Sequence, residues 1–193
     1  MYIPRNKQRA SRLHILLGAC AGFFNTLLTD AAEMRKAVRL LLLTVAILVA
    51  GIVTGCVMGL FSGKRPESLG VSAGRLAPCK PTPNCVSSQA DPSDATHYVV
   101  PIAVREDPAR TFAALKRVVQ ANERVNIVAD DRDYLYAEYR SRIMGFVDDV
   151  EFWLDPHAKL IHVRSASRVG TSDLGVNRER IERIRAQLAA AGA

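Results

Sequence analysis

From Leu40 to Phe61 the protein reads LLLLTVAILVAGIVTGCVMGLF, 22 residues without a charge. At a helical rise of about 1.5 Å per residue, a hydrocarbon layer of roughly 30 Å needs about 20 such residues. A core helix of a soluble domain is rarely apolar on every side for so long. The run therefore reads as a membrane-spanning or membrane-targeting segment, with the folded part of the protein following it. Arg35, Lys36 and Arg39 flank it on one side, Lys64 and Arg65 on the other. Together with Arg5, Lys7, Arg9 and Arg12, this bias places the N-terminus in the cytoplasm. The expectation is a single-pass protein of the cell inner membrane whose C-terminal domain is periplasmic or otherwise extracytoplasmic.

Met34 opens the sequence MRKAVRLLLL, a charged start leading into an apolar run, as in a signal or anchor segment. Residues 1–33, which hold a shorter apolar stretch from Leu13 to Leu28, then read as an over-extended start, and residues 34–61 as the anchor. The stretch Val53-Thr54-Gly55-Cys56 resembles a lipoprotein cleavage site at which Cys56 would be lipidated. Against this, the sequence stays apolar through Phe61. An uncleaved anchor is the leading reading; a lipoprotein and a cleaved signal are the alternatives.

The net charge of +7 is unevenly placed. Residues 1–39 hold seven Lys/Arg against Asp30 and Glu33, and the remaining residues nineteen against seventeen. The excess belongs mostly to the membrane flank rather than to a folded face, which argues against nucleic acid as a partner. Cys79 and Cys85 sit in PCKPTPNC, a short ring stiffened by prolines. Outside the cytoplasm they read as a disulfide, with free thiols as the alternative. Two thiols without nearby histidines fall short of a metal site. No cofactor is called for.

Residues 62–96 are rich in Gly, Pro and Ser and lack a sustained apolar period, so they read as a tether and lead-in pinned by the Cys ring. Residues 97–190 read as an α+β domain. A strand from His97 to Arg105 is placed at an edge by Pro101. A helix is capped by Asp107 and Pro108 and ends near Asn122. Three strands follow, over 125–129, 134–142 and 147–154, and a fourth over 159–167, before an amphipathic helix carrying Ile181, Ile184 and Leu188. The order suggests a mainly antiparallel sheet with two helices packed on one face.

Alternation sorts the strands into two faces. Leu135, Ala137, Tyr139, Val150, Phe152, Leu154, Ile161 and Val163 form the core face. Glu138, Arg140, Arg142, Asp149, Glu151, His162, Arg164 and Arg168 fall opposite. A four-residue turn pairing Leu154 with Lys159 would build two ladders, Arg140–Asp149–Arg164 and Glu138–Glu151–His162. Cross-strand ion pairing is the simpler account of the first. The sharper one is an anion site formed by Arg140, Arg142, Arg164, Arg168 and Arg178 with Ser172 and Asn177 at the start of the last helix. The second ladder offers Glu138, Glu151 and His162 for acid/base work in a hydrolase-like enzyme, although charge balancing explains it equally. Ser172 lacks the glycine pattern of a nucleophile elbow, and Ser87-Ser88 have no base nearby in sequence. Trp153 falls on the charged face and is available to stack on a ligand. The last helix, with Arg178, Arg180, Arg183 and Arg185 interleaved with Glu179 and Glu182, reads as a solvated face, with docking onto anionic lipid headgroups as the alternative.

The stretches LAPCKPTPNCVSSQA, YRSRIMGFVDDVEFWLD and IHVRSASRVGTSDLGVNRERIERIR resemble the family known as domain of unknown function 1499, from about Leu69 to Leu188. The resemblance implies a bacterial or plastid-type protein, often membrane-anchored, and no established activity. It marks Cys79, Asn84, Cys85, Ser87 and Ser88; then Ser141, Arg142, Gly145, Phe146, Asp148, Asp149 and Glu151; and finally Arg164, Ser165, Ser167, Arg168, Gly170, Ser172, Asp173, Gly175, Asn177 and Arg178. The reading that results is a non-enzymatic, membrane-tethered envelope protein that binds an anionic envelope component or a protein partner. An enzyme and a purely structural envelope protein are the alternatives.

Overall fold

A computed structural model describes residues 33–55, 59–104, 107–155 and 157–192. Residues 1–32 and Cys56 lie outside the described residues, and with them the readings of an over-extended start and a lipidated cysteine. The protein divides into two units, residues 1–54 and 55–193. Among its described residues the first contains one helix, α1 (Glu33–Gly55), which by length and composition is able to cross a membrane. The uncharged run continues past Gly55 to Phe61. Phe61 packs edge-on against Phe146, with ring centroids 5.9 Å apart, inside the second unit.

The second unit is α+β, built on an antiparallel sheet. Its strands are β1 (Cys85–Ser87), β2 (Ile102–Ala103), β3 (Val125–Asp130), β4 (Tyr134–Arg140), β5 (Val147–Asp155) and β6 (Leu160–Ser167), and its helices α2 (Pro108–Gln120) and α3 (Val176–Ala190). The spatial order is β1-β6-β5-β4-β3, with β2 also pairing β6. β1 pairs the C-terminal part of β6 and β2 its first residues, so two short strands share one edge. The expected strand over 97–105 shrinks to two residues. Pro101 lacks the N–H that a ladder needs, and beyond β2 the Val104 N–H still donates to the Lys159 carbonyl. α2 begins as its sequence dictates: the Asp107 carboxylate accepts hydrogen bonds from the N–H groups of Ala109 and Arg110.

The buried cluster joins Phe112, Leu115 and Val119 of α2 and Ile181, Ile184 and Leu188 of α3 to Leu135, Ala137, Val150, Phe152, Ile161 and Val163 of the sheet. These strand residues are the ones that alternation assigns to the core.

The ladders differ from the expectation. Leu154 pairs with Ile161 rather than Lys159, and Arg140 with Val147 rather than Asp149. Glu151 therefore faces Arg164, Glu138 faces Asp149, and His162 faces Trp153. The turns cause the slip. The β5–β6 loop leaves Lys159 outside the strands with φ 54, while the Asp155 side chain accepts from the N–H groups of His157 and Ala158. The β4–β5 loop runs from residue 141 to 146 and closes when the Phe146 N–H donates to Ser141 Oγ. Both slips are by two residues, so every side chain keeps its face.

Cys79 and Cys85 form a disulfide that ties the lead-in to β1. Closing so short a ring is worth about 2 kcal/mol in the chain-entropy model. Cys79→Ser combined with Cys85→Ser is expected to cost that much, read from urea unfolding of the full-length protein in detergent; the wild type under reductant should match the double variant.

Candidate functional site

The polar face of the sheet carries buried ions. Glu138, Asp149, Glu151 and Arg164 are all at most 6 % exposed. Burial at this level is costly unless each charge is paired and hydrogen-bonded, and here the pairing is dense. Arg168, just past β6, donates from Nε to both Asp149 oxygens (3.1 and 3.0 Å) and from Nη2 to Asp149, Glu138 and the Tyr136 hydroxyl. The Tyr136 hydroxyl donates to Asp149 at 2.6 Å. Arg164 Nη1 donates to Glu151 at 3.0 Å, and Glu151 also accepts from the Tyr134 hydroxyl at 2.8 Å. Burial pushes the Glu138 carboxyl up, but hydrogen bonds from Arg168 and Arg65 outweigh it and hold the group at about 2. Burial, reinforced by the neighbouring carboxylates, raises the Tyr134 and Tyr136 hydroxyls well above the ordinary phenol range.

Residues 62–80, expected to be a tether, lie over this face. Arg65 reaches Glu138 (2.6 Å from Nη2), and the Gly70 N–H donates to Glu151 at 2.8 Å. At Gly63, with φ +68, an added Cβ would lie 2.7 Å from Val169 and 2.8 Å from Arg168, so the backbone passes there only as glycine. Between this roof and the sheet is a cavity of about 470 Å³, lined by Lys64, Arg65, Lys80, Asp149, Arg164 and Arg168 among others. Five cationic side chains line it against two carboxylates, Glu67 and Asp149. The Arg164 Nε–H is buried without a hydrogen-bond partner. Among the described residues Lys80 forms no ion pair, whereas Lys64 pairs with exposed Glu67.

The residues expected to gather at an anion site are thus dispersed. Arg164 and Arg168 line the cavity together. Arg140 and Arg142 are exposed where β4 ends. Arg178 donates to the carbonyls of Ala95, Thr96 and Tyr98. Asn177 is fully buried, bonding Ser165, Ser167, Arg180 and the Asn84 carbonyl, so it fastens α3 to the end of the sheet. Ser172 Oγ accepts from the Leu174 N–H in an exposed turn.

The expected Glu138–Glu151–His162 ladder does not form. His162 stacks on Trp153 (centroids 5.4 Å apart) and meets Ser88 Oγ through Nδ1 at 3.2 Å, while the carboxylates turn to arginines. Burial keeps His162 below its ordinary pKa. Ser88 Oγ also accepts from the Val163 N–H, so the hydroxyl bridges β6 and the segment after β1. Nothing in the sequence hints at this contact, because 74 residues separate the partners. The roof residues Lys64, Arg65, Gly70 and Lys80 are equally hidden from a reading of the sequence. The one signal for Gly70 and Lys80 is the family resemblance, which begins at about Leu69, after Lys64 and Arg65.

A comparison with curated proteins finds no match. A family model described as "Protein of unknown function (DUF1499)" matches residues 75–188, a span that includes the Cys ring, the sheet, both helices of the second unit and the sheet side of the cavity. The protein belongs to this family.

Proposed function

We propose that the protein is a non-enzymatic envelope protein, tethered to the inner membrane by α1 with its second unit on the outer side. It binds a small anionic group in the cavity between residues 64–80 and strands β5 and β6. The observation that carries this reading is a cavity whose lining is in cationic excess and includes Arg164, a residue whose buried Nε–H has no acceptor. An unsatisfied buried donor is costly, and a carboxylate or phosphate oxygen satisfies it while Lys80 supplies further charge. Arg168 serves a different purpose, since Asp149 and Glu138 engage its Nε and Nη2 donors. The cluster joining α2 and α3 to alternate residues of β4–β6 supports placing both helices on the opposite face, which leaves the cavity side to the roof. The basic flank of α1 and the disulfide support the extracytoplasmic placement.

The test is calorimetric titration of inorganic phosphate and of citrate into the full-length protein in detergent. Arg164→Lys keeps a cation opposite Glu151 but removes Nε–H, and Lys80→Ala removes an exposed charge. Each is expected to weaken binding about 10-fold or more with unfolding midpoints near the wild type. Absence of binding, or equal binding in all three proteins, would leave the ion lattice with a purely structural role.

A further inference from the structure

We propose that one end of the sheet is a docking surface for an anionic lipid bilayer, independent of the anion cavity. Antiparallel pairing of Arg140 with Val147 and of Asp148 with Ser167 brings the β4–β5 loop and the β6–α3 loop to the same end. Phe61, against Phe146, adds the segment that follows α1 to that end. The loops expose large apolar side chains: Ile143 is 81 % and Leu174 95 % exposed, and Val169 and Phe146 are also exposed. Leu174 is moreover held at φ 56, a left-handed conformation that a leucine rarely adopts. A strained backbone that presents a leucine to solvent contributes nothing to the core. Arg140 and Arg142 stand exposed beside these residues.

The opposite end of the sheet is different in kind. Its loops carry Asp131, Arg132 and Asp133, and Asp155, His157 and Lys159, and among the described residues neither of these loops exposes a large apolar side chain. Apolar tips interleaved with arginines are the composition of a surface that sits in the headgroup layer, the side chains entering the acyl boundary and the cations meeting anionic lipid. Covalent linkage to α1 favours this occupant over a soluble partner. Only five residues separate Gly55, the end of a helix able to cross a membrane, from Phe61. So short a link spans roughly 20 Å at full extension, and this covalent length is what favours a bilayer.

The experiment uses the full-length protein reconstituted in vesicles with brominated acyl chains, in a Trp153→Phe background that removes the sole native tryptophan. Tryptophan is introduced by Ile143→Trp, Leu174→Trp or, at the opposite end, Arg132→Trp. The proposal expects emission from positions 143 and 174 to move to shorter wavelength and to be quenched in vesicles containing phosphatidylglycerol. Position 132 should be neither shifted nor quenched. Equal quenching at all three positions, or none at 143 and 174, would overturn it, as would equal quenching in purely zwitterionic vesicles. Hydrogen exchange of the unmodified protein gives an independent reading. Slower exchange at 141–146 and 170–175 in anionic than in zwitterionic vesicles supports the surface, and identical rates overturn it. Adding Arg164→Lys should leave the quenching unchanged, so failure here and failure of the anion cavity are distinguishable.

Discussion

Replacing Arg168 with methionine is expected to lower the stability of the second unit by about 3–5 kcal/mol, the largest effect of any single polar substitution in the protein. The guanidinium is shared by Asp149 and Glu138 and also contacts the Tyr136 hydroxyl. Asp149 is 1 % and Glu138 3 % exposed, so neither carboxylate is able to turn to water when the cation goes. Methionine fills the space of the aliphatic stem but offers no donor, and two buried anions then repel one another. Arg65 continues to serve Glu138, which is why the lattice weakens rather than vanishes. A second substitution sharpens the expectation: Asp149→Asn added to Arg168→Met removes one of the uncompensated charges and should recover part of the loss. Urea unfolding of the full-length protein in detergent measures both. A loss below about 1 kcal/mol, the range of an exposed ion pair, would mean that these charges are solvated.

The second large effect is acid destabilisation centred on Glu138. Its carboxyl falls from an ordinary 4.5 to about 2 in the folded protein, so the unfolded state takes up this proton first as the pH drops. The stability that the shift represents is complete above about pH 4.5 and is lost progressively as the pH falls through about 2. A displacement of that size corresponds to roughly 3 kcal/mol. Denaturant titrations at about pH 5 and about pH 2.5 should show most of that loss in the wild type. Glu138→Gln cannot titrate and should show a smaller pH dependence, although it starts less stable because Arg168 and Arg65 each lose an ionic partner. Parallel pH profiles for the two proteins would show that Glu138 is not the group responsible.

Both expectations rest on a face of the sheet that is legible in the sequence and on pairings that are not. Period-two alternation in YLYAEYR, VDDVEFWLD and LIHVRSAS assigns Glu138, Asp149, Glu151 and Arg164 to one side whatever the register, because a slip of two residues preserves parity. The partner of each ion depends on how many residues each turn consumes. Lys159, left outside the hairpin, and the closure of the 141–146 loop on Ser141 are local events that alternation does not encode. The ladder expected to bring His162 to two glutamates fails for this reason alone.

The roof is illegible for a different reason. On the polar face of the sheet, residues 62–80 attach through one arginine, one glycine N–H and a glycine close approach, none of which leaves a periodic trace. In sequence, Gly63, Gly70 and Gly74 look like signs of a loose tether, whereas at Gly63 the missing side chain is what lets the segment press on Val169 and Arg168. Likewise Lys64 and Arg65 have the look of a membrane flank. Arg65 is in fact bonded to the sheet, and Lys64 stands at the cavity.

Arg164 is expected to keep its Nε–H for a guest, whereas Asp149 already holds the Nε–H of Arg168. Nitrogen-15 NMR of the arginine Nε–H groups during a phosphate titration of the full-length protein tests it most directly. A saturable shift of the Arg164 Nε–H, with the Arg168 Nε–H unmoved, is the predicted result. An Arg164 signal that stays in place throughout the titration, or one that moves only in step with Arg168, would contradict it.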